Sequence, residues 1–189
     1  MRIEERQREQ VKRHLEWVNA EGGIERPQWL STFFKAEQQK RLRWLGDHVY
    51  PPTLEVGCNW GFVTAYVGGQ AGVDTSEASI ALAEALEPEK DWQVADARSL
   101  PFPDNSFVTV LLAEVLEHLP YADVPKAIAE AKRVASWQVL VTIPNGDRDG
   151  YESNCFRHQW LATREELRKL FPGEKLYHVG PFYCLQVLK

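Results

Sequence analysis

From Thr53 onward the chain alternates between two hydrophobic periods. Short apolar runs at 53–57, 71–74, 91–95, 107–112 and 137–143 read as buried strands. Between them, apolar residues recur at three- and four-residue spacing over 60–67, 76–86, 123–134 and 163–170, which reads as helices. Short strands separated by helical segments predict right-handed βαβ units and a parallel sheet. The tail breaks the alternation. Lys175–Val179, then Gly180-Pro181, then Tyr183–Leu188 reads as two strands joined in a hairpin. Before Thr53 the pattern is helical only. Residues 2–20 carry a narrow stripe of Val11, Leu15 and Val18, which Gly22-Gly23 interrupts. Pro27 suits the first turn of a second helix bearing Leu30, Phe33, Phe34, Leu42 and Leu45, which ends at Pro51-Pro52. The expected organisation is one domain over 1–189, with a helical cap or lid at 1–50 and an α/β core at 51–189. The irregular stretch 145–160 follows the fifth strand, at the sheet edge where α/β folds bind ligands.

Composition narrows the class. A chain of 189 residues favours one sizeable core, and 44% hydrophobic with 26% charged residues is ordinary for a globular protein. No apolar run approaches the ~20 residues needed to cross a bilayer, so no membrane partner is expected. The charged amino-terminal stretch has no apolar signal core. Cys58, Cys155 and Cys184 are too few and too widely spaced for a disulfide framework or a CxxC metal site. These features lead to the expectation of a cytoplasmic protein. The net charge of -5 weighs against nucleic acid as a partner, since phosphate-backbone binding needs a basic face.

The chemistry begins at Thr53-Leu-Glu-Val-Gly-Cys-Asn-Trp-Gly61, a strand with an acid near its end and a tight glycine turn opening a helix. A dinucleotide site of the GxGxxG type needs glycine at 57, 59 and 62; the chain has Gly57, Asn59 and Phe62. The pattern present is E-x-G-x-x-x-G. Two further acids follow, Asp74 at the end of the second strand and Asp96 at the end of the third. Each has an ordinary alternative: Asp74 could cap the helix near Ser76, and Asp96 could be a solvated strand-end acid. Together with Glu55 they place three acids at the carboxyl ends of three consecutive strands, converging on one crevice. Ser99-Leu-Pro-Phe-Pro-Asp-Asn-Ser-Phe107 leads into the fourth strand, which ends in Leu111-Leu-Ala-Glu-Val-Leu-Glu-His-Leu-Pro120.

In order over 53–143, these segments resemble the motifs of class I S-adenosylmethionine-dependent methyltransferases, in the small-molecule subgroup called type 11. The one departure in the connector is Val108, where that family usually has aspartate. The resemblance implies a doubly wound, Rossmann-like α/β fold: a mostly parallel seven-stranded sheet with a carboxyl-terminal antiparallel hairpin and an amino-terminal helical cap. It implies S-adenosylmethionine as cofactor and S-adenosylhomocysteine as product. Glu55 would accept from the cofactor's ammonium group, Asp74 would bind the ribose hydroxyls, and Asp96 with the backbone of Ala97 would meet the adenine. Gly57 and Gly61 would admit the cofactor without a Cβ clash, and Asn59 would tolerate a left-handed turn. Cys58, Thr75 and Glu114 complete the expected cofactor shell.

Methyl transfer from a sulfonium is an in-line displacement with an activated donor, so alignment supplies much of the acceleration. His118 is the candidate base or acceptor-orienting residue; its alternative is a structural tie at the strand end. Glu114, Glu117 and His118, with His158 from the later loop, could instead hold a divalent metal. That set is similar to the one in RNA 3′-terminal 2′-O-methyltransferases that grip the terminal ribose through a metal. The same later segment also reads as an ordinary loop into the last helix, with Thr163 and Glu166 forming a capping box. The expected acceptor is a small molecule methylated on O, N or C, in a pocket that Trp29, Phe33, Phe34, Tyr151, Phe156 and Trp160 could line; the ordinary reading of Phe33 and Phe34 is packing of the helical cap on the sheet. Arg41, Arg43, Arg148 and Arg157 could pair an acidic acceptor, but each is expected as a solvated surface charge. A short lid leaves room for a second subunit, so a homodimer is among the expected partners. A cofactor-binding sensor without turnover is the alternative from another class.

Overall fold

The computed structural model describes residues 35–147 and 158–189. The expected helix at 2–20 and the start of the second helix lie outside the described residues, as do Trp29, Phe33, Phe34, Arg148, Tyr151, Phe156 and Arg157. Helix α1 spans Ala36–His48, strand β1 Thr53–Val56, helix α2 Phe62–Val67, β2 Ala71–Asp74, α3 Glu77–Leu86 and β3 Asp91–Val94. Then come β4 at Phe107–Ala113, short 3₁₀ turns at Leu116–His118 and Tyr121–Asp123, α4 at Val124–Val134 and β5 at Ala135–Pro144. Helix α5 at Arg164–Leu170 and the strands β6 (Leu176–Val179) and β7 (Phe182–Leu188) close the chain.

The strands form one seven-stranded sheet in the order β3-β2-β1-β4-β5-β7-β6. Strands β1 to β5 pair in parallel, and β7 pairs antiparallel with both β5 and β6. This is the expected architecture, and every strand and helix expected from Thr53 onward is present. Order reverses between β1 and β4, so the carboxyl ends of those strands open a crevice.

Alternate residues feed two cores. Leu54, Val56, Val73, Val110, Leu112, Val139 and Val141 pack with α4 and α5 on one face. On α4 the buried stripe is Val124, Ala127, Ile128, Ala131 and Val134, the helical period that marked it in the sequence. On the opposite face Leu111, Ala113 and Leu140 meet Leu42 and Leu45 of α1 and Phe62, Val63 and Tyr66 of α2. The connector into β4 is tied down from α4. Arg133 donates to the carbonyls of Leu100 and Phe102 and to Asp104, while Glu130 accepts from the Leu100 amide. Thr163 caps α5 by accepting from the Glu166 amide. The reciprocal half of the expected capping box is absent: the Glu166 carboxylate takes the Tyr121 hydroxyl and Lys169 instead.

Candidate active site

The turn after β1 hangs from β2. The amides of Gly57 and Cys58 both donate to the Val73 carbonyl, at 2.7 and 2.9 Å. Gly57, Asn59 and Gly61 all have positive φ (71°, 49° and 76°), so the turn is left-handed in three places and Asn59 adopts the region expected of it. The two glycines are required by packing. A Cβ on Gly57 would lie 2.5 Å from Val115, and one on Gly61 would lie 2.3 Å from the Trp92 ring. The missing Cβ of Gly61 makes room for the buried indole of Trp92, which also lies against Gly72. Trp92 is the floor of the turn, held by its indole N–H to the Glu87 carbonyl.

Glu55 is buried in the centre of the sheet and accepts from the Thr64 hydroxyl of α2. Burial pushes its carboxyl up to about 8, against the lowering effect of the Thr64 hydrogen bonds and of Arg41. Asp74 accepts from the Asn59 amide and the Ser76 amide, each at 2.9 Å. It thus locks the two turns together, while Ser76 itself caps α3 through the Ser79 amide. Asp96 is gripped by Arg98, whose guanidinium lies 2.6 Å from one oxygen and 2.9 Å from the other and also reaches Asp123 at 2.6 Å. That hydrogen-bonded cation lowers the Asp96 carboxyl. Arg98 was not expected, and it replaces the solvated-acid alternative for Asp96.

Glu114 follows β4 with a positive φ of 60° and accepts from the Thr142 hydroxyl at 3.3 Å. Arg41 is a correction to the sequence reading. It is buried, not solvated: it donates to Thr142 at 3.1 Å, lies 3.9 Å from Glu114 and sits over the Phe182 ring. Burial raises the Glu114 carboxyl, and Arg41 and Thr142 oppose the shift. The signal for Arg41 was present: Gln38, Arg41, Leu42 and Leu45 share one helical face.

Glu117 and His118 lie in the 3₁₀ turn after β4. The later segment docks on that turn through three bonds. The Gln159 amide donates to the Glu117 carbonyl at 2.8 Å, the Gln159 side chain to the His118 carbonyl at 2.9 Å, and the Trp160 indole to the Leu116 carbonyl at 3.0 Å. This docking brings the His158 and His118 rings to a centroid separation of 4.9 Å. Burial, then the neighbouring His118, lowers the His158 imidazole. Trp160 packs against the core near Tyr121 and is not a wall of the cavity.

All of this encloses one cavity of about 990 Å³. Glu55, Gly57, Cys58, Asn59, Asp74, Thr75, Asp96, Ala97, Glu114, Glu117, His118 and His158 line it; among the described residues expected there, Gly61 and Trp160 do not. Sequence reasoning missed Gln38 and Arg41 from the cap, and Pro144, Pro181 and Phe182 from the hairpin side. Phe182 is there because β7 runs antiparallel to β5, which sets it opposite Pro144 at the carboxyl end of the sheet.

A seven-stranded sheet of order β3-β2-β1-β4-β5-β7-β6, parallel except for β7, is the fold of class I methyltransferases of known structure. Residues 54–138 match the family model described as a methyltransferase domain. An ajmaline N-methyltransferase of Rauvolfia serpentina is 32% identical over 131 residues, covering 62% of this chain and 43% of that protein. The chain spans less than half the length of the curated relatives it matches. Among solved structures, a SAM-dependent methyltransferase from Thermotoga maritima superposes with a TM-score of 0.73 at 18% identity, over 92% of this chain and 97% of that one. The magnesium protoporphyrin IX methyltransferase of Synechocystis PCC 6803, with bound SAH, gives 0.65 at 14% identity, over 88% and 90% of the two chains.

Proposed function

We propose that this chain binds S-adenosylmethionine in the 990 Å³ cavity and transfers its methyl group to an O, N or C of a small-molecule acceptor. The carrying observation is the convergence of Glu55, Asp74 and Asp96, from three adjacent strand ends, on that single space. Glu55 takes the ammonium group and Asp74 the ribose hydroxyls, using carboxylate lone pairs that its two backbone donors leave open. Asp96 and the Ala97 backbone meet the adenine, and Cys58, Asn59 and Thr75 line the remainder. The transferred methyl then faces the ends of β4 and β5, where Glu114 and His118 stand. His118 orients the acceptor or takes its proton where the nucleophile must lose one.

Catalysis rests on alignment: the sulfonium is activated already, and a cavity bounded by α1 and the hairpin holds the acceptor in line with the S–CH₃ bond. The name of the Rauvolfia relative puts amine acceptors first in a screen. The remaining parts of the reading are a single domain with residues 1–50 as its lid, a cytoplasmic setting and a homodimer. No helix among the described residues is long and apolar enough to cross a membrane.

Calorimetric titration with S-adenosylhomocysteine, with NADH as control, tests the reading. One-site micromolar binding of the first alone supports it and licenses the acceptor screen, read by S-adenosylhomocysteine release. No binding to folded protein overturns it. Binding without turnover on any acceptor favours a sensor.

A further inference from the structure

Glu117 is 2% exposed, and neither of its carboxylate oxygens has a hydrogen-bond partner among the described residues. A buried carboxyl with both oxygens unmet is costly, and native structures satisfy such groups with a partner or an ion. Its surroundings supply that ion's other ligands. One ligand atom each from Glu117, His118 and His158 lie within 4.8 Å of one another, a spacing that a shared cation closes by small side-chain rotations. The two histidines come from segments 40 residues apart. They meet because Gln159 and Trp160 are hydrogen-bonded to the backbone of the turn that carries Glu117.

We infer that Glu117, His118 and His158 form a binding site for a divalent first-row transition ion on the wall of the cavity. The donor set is two imidazole nitrogens and one carboxylate. Imidazole suits zinc, iron, nickel or copper and the carboxylate also admits manganese, whereas magnesium and calcium prefer all-oxygen shells. Three protein ligands leave at least one coordination position open. All three residues line the cavity, so the open position faces the space assigned to the acceptor. Glu114 does not belong to the set: its carboxylate is engaged with Thr142 and Arg41 on the cap side. An ion here would hold an acceptor oxygen or nitrogen by direct coordination and would make His118 a ligand in place of a base. That last step rests on the methyltransferase reading; the metal site itself does not.

The test is titration of chelator-treated, dialysed full-length protein with ZnCl₂ by calorimetry and with MnCl₂ by electron paramagnetic resonance. The expected result is one ion per chain for at least one of the two metals. Glu117→Gln and His158→Ala should each weaken that binding at least about tenfold, because loss of one of three ligands removes a coordinate bond. His158→Ala alters a half-buried loop residue and leaves the sheet intact, so it remains informative if Glu117→Gln folds poorly. Titration of each variant with S-adenosylhomocysteine checks that the cofactor half of the cavity persists. Absence of saturable uptake of either metal, or equal uptake by wild type and both variants, overturns the site. Metal uptake without S-adenosylhomocysteine binding keeps the site and removes the methyltransferase reading. S-adenosylhomocysteine binding without metal uptake does the reverse.

Discussion

Arg41 and Thr142 are 101 residues apart in sequence, yet a guanidinium nitrogen of the first lies 3.1 Å from the hydroxyl of the second. The contact joins α1 to the middle of the sheet and sets a cation beside Glu114 and over Phe182. A buried arginine persists where its donors and its planar face are both used. Here Gln38, Thr142 and the Phe182 ring use them.

Arg41→Ala should therefore lower stability by about 2–3 kcal/mol, since it opens a void and leaves Glu114 without its cation. Arg41→Met keeps the packing on Phe182 and should cost less. The Arg41→Met, Glu114→Gln pair should recover most of the loss, because neither charge is then left alone. Urea denaturation of the four proteins measures this. Equal stability of Arg41→Ala and wild type would contradict the buried role.

If Glu55 holds the cofactor's ammonium group as proposed, cofactor binding and folding should depend on pH in opposite senses. Its folded carboxyl is raised to about 8 from 4.5 by burial, with Thr64, Arg41 and Asp74 as the polar and charged groups facing it. Between those values the folded protein holds a proton that the unfolded chain has lost. Its contribution to stability is fully present below 4.5 and is lost as pH rises to 8, on the order of 1 kcal/mol per pH unit at most. An ammonium group needs the carboxylate, so binding of S-adenosylhomocysteine at pH 7 should release a proton and tighten from pH 6 to 9. Calorimetry in buffers of different ionisation enthalpy reads the proton directly. Glu55→Gln should abolish the release and weaken binding by roughly tenfold or more, while leaving the fold intact.

Gly61→Ala should destabilise the protein by about 2–4 kcal/mol, combining a positive φ with a Cβ 2.3 Å from the Trp92 ring. Shrinking the ring should relieve the second part only. A Gly61→Ala, Trp92→Leu double variant is therefore expected to lose less than the sum of the two single losses in thermal denaturation. Strict additivity would show that the two residues do not meet.

Arg98 is about two-fifths exposed, so its pairs with Asp96 and Asp123 should matter little to folding. They should matter to binding, because the guanidinium fixes the carboxylate proposed to meet the adenine. Arg98→Ala is expected to leave the melting temperature unchanged and to weaken S-adenosylhomocysteine binding about fivefold, with Asp96→Asn weakening it more. Calorimetry and a melting curve on the same samples separate the two effects.

The core was legible in the sequence because its signals are local. Short apolar runs and 3.6-residue periodicity mark β1 to β5 and α2 to α5, the glycines and Asn59 mark the left-handed turn, and Glu55, Asp74 and Asp96 each stand at a strand end. Once parallel order is inferred, those three acids must share an edge. What the sequence could not rank was the partners of each side chain. Nothing in the sequence marked Arg98 as the partner of Asp96, or Trp92 as the ring beneath Gly61.

Residue type and spacing thus determined the fold class, the order of elements and the acid-lined edge, since each follows from periodicity within a dozen residues or so. Tertiary structure alone decided which distant groups share low-dielectric space. It buried Arg41 against Thr142, turned Phe182 into the cavity beside Pro144, and separated Glu114 from the Glu117, His118 and His158 cluster. The physical reason is range. Hydrophobic period is written along the chain, whereas desolvation and ion pairing depend on neighbours that only folding brings together.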